Sequence, residues 1–286
     1  MDVTAATVIG ILIYLAAAPV VGGLLAGADR VVSARMQGRY GPPLLQPFYD
    51  VLKLWQKENI VVNRQQKVYI LGFFVFVVIA GCILFGGGDL LLAVFALTLA
   101  SVFLIVAAYS TFSPYAHIGA EREMIQMVSY EPMVILTVVG MYMATGSFSS
   151  VDIARHDGML FLHLPFIFLG FLFILTIKFR KSPFDISMSH HAHQEIVRGL
   201  TTEFSGRDLA LIEIAHWYEN VFLLGMVYLF FAPVPVVAVI VTLAAYFLEV
   251  FIDNNNARLK WQHALASSWA VTLVLGVSNV VLLAFR

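Results

Sequence analysis

Residues Lys181 to Asp208 read KSPFDISMSHHAHQEIVRGLTTEFSGRD, and the stretches on either side of them are almost wholly apolar. Leu160 to Phe179 precedes this segment and Leu209 to Phe231 follows it. Each flank is roughly twenty residues long, the length of helix that crosses a bilayer core. The segment between them is polar and carries Asp185, His190, His191, His193, Glu195, Arg198, Glu203 and Arg207. A connection of that length in a compact domain is usually functional or disordered, and the spaced motifs in this one argue for function. It is read as the working surface, with the apolar segments as its mount.

Outward from that loop the same alternation covers the chain. Hydrophobic residues make up 60% of the 286 and charged residues 12%, against roughly half and a quarter in a soluble domain. Eight apolar stretches run from Ala5 to Ala26, Val68 to Gly87, Leu90 to Tyr109, Glu123 to Thr145, Leu160 to Phe179, Leu209 to Phe231, Val234 to Ile252 and Ala264 to Phe285. Hydrocarbon offers a backbone no hydrogen-bond partners, so a spanning segment of this kind satisfies its own as a helix. The expected fold is an all-α polytopic membrane protein, one integral membrane domain over residues 1–286 with eight transmembrane helices. The first stretch has no basic residue ahead of it and exceeds the apolar core of a signal peptide, so a retained helix is expected there.

Basic residues are kept on the cytoplasmic side of a membrane. Of the 17 lysines and arginines, all but Arg155 and Arg286 fall in the first, third, fifth and seventh connections or, for Lys178, at the very end of the stretch that borders one. That bias predicts both termini outside, with the cytoplasmic loops at about residues 28–67 and 180–208. In the first of these loops Leu44, Phe48, Val51 and Trp55 recur at helical spacing, while Asp50, Lys53 and Lys57 point elsewhere. The pattern predicts an amphipathic helix at the interface. The rigid, basic ARMQGRYGPP before it, with Arg35 and Arg39, suits docking to a partner.

Ionisable groups inside a span are costly and mark function or an enclosed interior. Glu131 lies well inside the fourth span, after Glu121 and Glu123 and directly before Pro132. It reads as a proton or ion relay, or else as a protonated acid bonded to a neighbouring helix. The sixth span carries Glu213, His216 and Glu219 three apart, on one helical face. Their spacing matches half of a di-iron motif, which needs the pattern on two helices; it occurs once, and a wet polar strip is the better reading. Glu249 and Asp253 near the end of the seventh span are either relay groups or a solvated helix end. His163 and Cys82 read as packed core. The cluster His190, His191, His193 and Glu195 has the residue types of a zinc site, but contacts to loop backbone or to a partner explain it better, and no metal is expected. A lone cysteine supplies neither an internal disulfide nor the ligands of an iron-sulfur cluster.

Several stretches together, RMQGRYGPPLLQPFYDVLKLWQKE, EREMIQMVSYEP, KSPFD with EIVRG and TEFSG, and NNNARLK, resemble in this order the membrane subunit that respiratory complex I shares with membrane-bound nickel-iron hydrogenases. The resemblance covers most of the chain, and the family's eight-helix topology agrees with the count above. It places the SYE glutamate on Glu131, the PFD aspartate on Asp185 and two loop carboxylates on Glu195 and Glu203. These are implied to line a water-filled path from a cytoplasmic redox module into the membrane. Complex I members have an acidic run after PFD where this chain has SMSHHAHQ, which is closer to the energy-converting (Ech-type) hydrogenases.

The function implied is an anchoring and coupling subunit of a ferredoxin-dependent, hydrogen-evolving hydrogenase in the cell membrane of a bacterium or archaeon. Glu123, Glu131, Glu195, Glu203, Glu213, His216 and Glu219 form the expected proton or sodium relay. Arg35, Arg39, Asp50, Lys53, Asp185, His190, His191, His193 and Arg198 form the expected docking surface. No cofactor is expected in the chain itself; the nickel-iron centre and iron-sulfur clusters would sit in partner subunits. Those partners are the hydrogenase large and small subunits, a ferredoxin-like iron-sulfur subunit and an antiporter-like membrane subunit, with the lipid bilayer around them and no nucleic acid. A quinone-site subunit of a complex I-type dehydrogenase and a stand-alone secondary transporter are the alternatives.

Overall fold

A computed structural model describes residues 3–58, 60, 63–181, 183–185, 187 and 196–285, the side chains of 3, 4 and 6 excepted. His190, His191, His193 and Glu195 lie outside the described residues. The chain forms α1 (Val3–Met36), α2 (Gln46–Gln56), α3 (Arg64–Phe85), α4 (Leu90–Tyr109), α5 (Pro114–Thr145), α6 (Ser150–Ala154), α7 (Pro165–Lys178), α8 (Gly206–Leu229), α9 (Pro235–Asn255) and α10 (Trp261–Val271). A π-helical stretch, Thr272–Val277, joins α10 to α11 (Ser278–Ala284). Among the described residues the only β pairing is two isolated bridges, Asp89 with Ser149 and Phe184 with Leu259.

All eight apolar stretches are helical. Among the described residues six helices are long and apolar enough to cross a membrane: α1, α3, α4, α5, α9 and the continuous run from α10 to α11. The other two differ for a physical reason. At 14 residues α7 spans only about 21 Å, and Glu213, His216, Glu219 and Asn220 dilute the apolar character of α8. They are also largely enclosed, α7 exposing only Phe166 and Leu169. Ile167, Phe171, Ile174 and Leu175 of α7 and Ile212, Ala215, Phe222 and Met226 of α8 are fully buried, with α8 packed on α1, α2, α3 and α9. Enclosure by protein rather than lipid removes the need for a long, uniformly apolar surface.

Helix starts follow local chemistry. Asn63, Asp89 and Ser113 cap α3, α4 and α5 by accepting from the amides of Gln65, Leu92 and Ala116, and proline opens α5, α7 and α9, where its missing N–H costs nothing. Close packing of α1 on α3 and α8 depends on Gly81: a Cβ there would stand 2.0 Å from the Tyr14 ring. Tyr14 in turn donates to the Tyr218 carbonyl at 3.2 Å, and Tyr218 returns the bond to the Leu15 carbonyl at 2.8 Å.

The connections gather at two ends. At one, Ile60 donates to Ser205 (3.1 Å), Asn63 to the Ser110 carbonyl (3.2 Å) and Gln37 to Asn254 (3.0 Å). Asp185 and Leu259 are joined there through backbone bonds of 2.9 and 2.8 Å that also involve Pro183. At the other end, Leu90 donates to Phe148 (2.8 Å), Phe161 to Phe230 (3.2 Å) and the Ser150 hydroxyl to Leu84 (2.6 Å). The four connections that carry the basic residues therefore meet at a single polar end.

The amphipathic helix forms as α2, and the four apolar residues at helical spacing do not share one covered face. Pro47, Phe48, Val51 and Leu54 turn inward, the Phe48 ring tilted 59° against Trp217 with centroids 5.1 Å apart, while Leu44 and Trp55 are exposed together with Tyr49 and Leu52. The helix has two apolar faces, and the shape of the α1–α8 surface selects which one is covered.

Asn279 of α11 supplies the cap that α7 lacks in sequence. Its Oδ1 accepts from the amides of Phe166 and Ile167, both at 3.1 Å, and its Nδ2 donates to the His163 carbonyl at 3.0 Å. Asn279→Leu should cost about 1–2 kcal/mol in thermal unfolding of the detergent-solubilised protein. Asn279→Asp keeps the acceptor and should cost less; equal losses would show that the cap contributes nothing.

Candidate functional site

The site is built at the C-terminal end of α7. Phe179 ends the helix, Arg180 turns left-handed (φ 58), the Arg180 amide donates to the Ile177 carbonyl and the Lys181 amide to the Thr176 carbonyl, each at 3.0 Å. This is a Schellman turn with arginine at the position normally held by glycine, a conformation that costs a side-chain-bearing residue about 1 kcal/mol or more. The turn sends Lys178, Arg180 and Lys181 in different directions. The exposed carbonyls at a helix C-terminus favour cations there.

Each cation meets a carboxylate from another helix. Lys178 Nζ lies 3.3 Å from Glu219 Oε1 on α8, and its ammonium sits 4.1 Å from the Tyr130 ring centroid on α5. The second Glu219 oxygen is 3.3 Å from His216 Nδ1, and the His216 ring stands edge-on to Phe73 at 5.4 Å. Arg180 Nη2 is 3.9 Å from Glu123 Oε1 on α5, whose other oxygen accepts from the Ser187 hydroxyl. Lys181 pairs with Asp29 on α1. Phe73, Ser101, Gln126, Tyr130, Lys178, Arg180, Glu123 and Glu219 line a cavity of about 10 Å³, room for the centre of about one water.

The PFD segment is pinned beside it. Arg122 Nη1 is 3.1 Å from Asp185 and its guanidinium lies 5.2 Å from the Trp261 ring. Leu200 donates to the Ser187 carbonyl at 3.4 Å, and the short turn Gly199–Thr201 rests directly on α5. A Cβ on Gly119 would come within 2.5 Å of the Gly199 backbone, so glycine is required for this approach.

The sequence-predicted residues divide accordingly. Glu123 and Glu219 line the cavity, His216 stands behind Glu219 and contacts its second oxygen, and Asp185 joins the same polar end. Glu213 is half-buried one turn from His216 and is influenced by Arg180, Arg30 and Arg198 rather than bonded into the Glu219 pair. Glu203 is half-buried outside the cavity lining. Glu131 is half-buried and accepts from the Thr98 hydroxyl of α4. It opens not into the cavity but onto an apolar groove of about 480 Å³ between α5 and the π-helical turn, lined also by Val128, Pro132, Trp269 and Thr272. Its charge nevertheless reaches Lys178 and Tyr130.

On the docking side, Arg35 lies over the Tyr40 ring at 5.2 Å, Arg39 donates to Gln37, and Lys53 and Arg198 are exposed. Arg30 and Gln46 both donate to Asp50. Partial burial pushes the Asp50 carboxyl up, but those hydrogen bonds and the charges of Arg30 and Lys53 outweigh it and hold it below the usual value. The tie from α1 to α2 is therefore present at neutral pH and is lost only as pH falls through that lowered value. Asp253 is bonded by Arg258 at 2.8 Å, while Glu249 is fully buried, so the end of α9 is not a solvated pair. Among the described residues no three His, Cys, Asp or Glu side chains converge as metal ligands.

Sequence reasoning missed Asp29, Tyr130, Gln126 and Ser187, and took Lys178, Arg180 and Lys181 only as markers of orientation. One signal was present. Glu123, Gln126 and Tyr130 are spaced i, i+3, i+7 and share a face of α5, whereas Glu131 stands roughly 80° around the helix from Glu123.

The chain matches the family model described as NADH dehydrogenase over residues 9–284. The H subunit of the NADH-quinone oxidoreductase of Rubrobacter xylanophilus is 34% identical over 240 residues, covering 75% of this chain and 70% of that protein. The corresponding H subunits of Syntrophotalea carbinolica and Aquifex aeolicus are 29% and 27% identical; the alignments cover 90% and 97% of this chain and 88% and 95% of theirs. In architecture the chain is similar to a chain of an archaeal membrane-bound sulfane sulfur reductase, with TM-score 0.85, 23% identity and coverage of 97% and 99%.

Breaking a buried pair strands a charge at about 3–5 kcal/mol, so Lys178→Met or Glu219→Gln alone should sharply lower the unfolding temperature, and Lys178→Met with Glu219→Leu should recover most of the loss. Additive losses would show the pair is not coupled. At the helix turn, Arg180→Gly should be more stable than Arg180→Ala by about 1 kcal/mol, since only glycine adopts that φ without strain; equal stabilities would remove the strain argument.

Proposed function

The chain belongs to the NADH dehydrogenase family, and from that premise we propose that it anchors a peripheral oxidoreductase arm to the membrane and couples electron transfer in that arm to ion translocation. The observation that carries the reading is the row of charged pairs running inward from the polar end. It begins at Arg122 with Asp185, continues through Arg180 with Glu123, and ends at Lys178 with Glu219 beside a water-sized cavity, His216 touching the far oxygen of Glu219. Charges enclosed in protein interact far more strongly than charges in water. A change of charge in a docked redox partner would thus redistribute these pairs and be felt at Lys178.

Glu131 is the outward station. It stands close enough to act on Lys178, yet opens onto the α5 groove, where a neighbouring membrane subunit of antiporter type would receive the proton or ion. Thr98 has one hydroxyl hydrogen and its oxygen also lies 3.0 Å from the Val94 carbonyl. It can donate to Val94 or to Glu131 but not to both, which gives the Glu131 contact two alternative bonding states. In this reading eight helices cross the membrane, with α7 and α8 enclosed by the six others, both termini lie outside, and the polar end faces the cytoplasm.

The arm proposed is a ferredoxin-dependent, hydrogen-evolving nickel-iron hydrogenase. Its large, small and ferredoxin-like subunits carry the nickel-iron centre and iron-sulfur clusters and dock on the loops around Arg35, Arg39, Asp50, Asp185 and Arg198. The SMSHHAHQ stretch supports that branch. A quinone-reducing arm is the second reading, favoured by the names of the NADH-quinone oxidoreductase relatives. Co-purification in mild detergent separates them: a nickel-containing partner supports the first, and a nickel-free complex that reduces quinone supports the second.

Glu131→Gln should leave dye-linked activity of the peripheral arm unchanged and abolish ion uptake into vesicles driven by the physiological electron donor. Uptake at the wild-type rate would overturn the relay role of Glu131.

A further inference from the structure

Glu249 has no role in the row described above, and its surroundings are unusual. It is fully buried on α9, and among the described residues neither of its carboxyl oxygens has a hydrogen-bond partner. The cation whose charge acts on it is Lys181. Lys181 leaves the α7 turn, pairs with Asp29 on α1 and holds its ammonium 5.8 Å from the ring centroid of Tyr246, which lies one helical turn before Glu249 on the same face of α9. Tyr246 is itself fixed, donating to the Leu25 carbonyl at 3.2 Å.

A buried carboxyl group without donors has nothing to stabilise its charged form, and an ammonium brought beside it would supply that; lysine, with a flexible stem and three rotatable N–H donors, is suited to serve more than one site. Its departure would leave Asp29 partly hydrated, since that side chain is 21% exposed. The Ser33 hydroxyl donates to Asp29 Oδ1 at 3.3 Å, and Ser33 in turn accepts from Asn254 of α9 at 2.9 Å. We infer that Lys181 is a two-position ammonium, paired with Asp29 in the arrangement seen here and with Glu249 in a second one, crossing the face of Tyr246 between them. Glu249 is then a positioning residue for the ammonium, not a group that touches a substrate. The movement carries a positive charge from the partly exposed edge of α1 to the fully enclosed face of α9, directly where the polar loop begins.

Its purpose rests on the coupling reading, but its test does not. In the intact membrane complex, Asp29→Asn removes the charge of the first position while keeping its shape. A density map of that variant should show Lys181 Nζ within hydrogen-bond distance of Glu249; an ammonium still beside the substituted amide on α1, or turned to solvent, overturns the inference. As a second readout, Glu249→Gln alone should leave the unfolding temperature of the complex unchanged or raised, because Lys181 remains on Asp29. The same change in the Asp29→Asn background should lower it by several degrees, and equal shifts in both backgrounds overturn the inference. Ion uptake by Glu249→Gln vesicles tests the coupling reading separately: wild-type uptake with a displaced lysine in the map keeps the two-position ammonium and removes its part in coupling.

Discussion

Three cations leave one helix end into a region where water is scarce, and each must find its counter-charge on a different helix. Lys178 meets α8, Arg180 meets α5 and Lys181 meets α1. A buried charge without a partner is far costlier than one with a partner, so the relative positions of these helices at the polar end are constrained by electrostatics as well as by packing. The left-handed turn at Arg180 ends α7 at this point, so that Arg180 and Lys181 leave the helix axis and meet helices that Lys178 does not.

The same constraint explains which helices carry the polar groups. α7 and α8 hold Lys178, His216 and Glu219 because α1, α3, α5 and α9 pack around them. On a lipid-facing helix those residues would be prohibitive. Being short or polar is therefore not a defect in these two helices but a consequence of their interior position, and the tertiary cap from Asn279 completes what the short α7 cannot supply itself. The helices around them are longer; α5 and α9 still carry acids, Glu123 and Glu249, on faces turned into the protein, and the absence of a side chain at Gly81 lets α1 pack on α3.

Much of this arrangement could be read from the residues. The placement of Glu123, His216 and Glu219 in spans, the i, i+3 relation of His216 to Glu219, and the gathering of the basic connections at one end followed from spacing and charge. The inward face of α2 did not, since Leu44 and Trp55 keep the same helical spacing as Phe48 and Val51; only the α1–α8 surface distinguishes them. Nor did the separation of Glu131 from the cavity, or the enclosure of Glu249, which near a helix end looked equally suited to solvent.

By itself the sequence determined an all-helical membrane chain, the approximate limits of its apolar segments and the end at which its charges collect, because hydropathy and helical period are properties of each segment taken alone. Tertiary structure alone decided the partners: which carboxylate each cation meets, which helices are shielded from lipid, and which acids share a cavity. Those outcomes depend on how helices far apart in sequence cross, and on a backbone turn that nothing in the local residue types at Arg180 specifies.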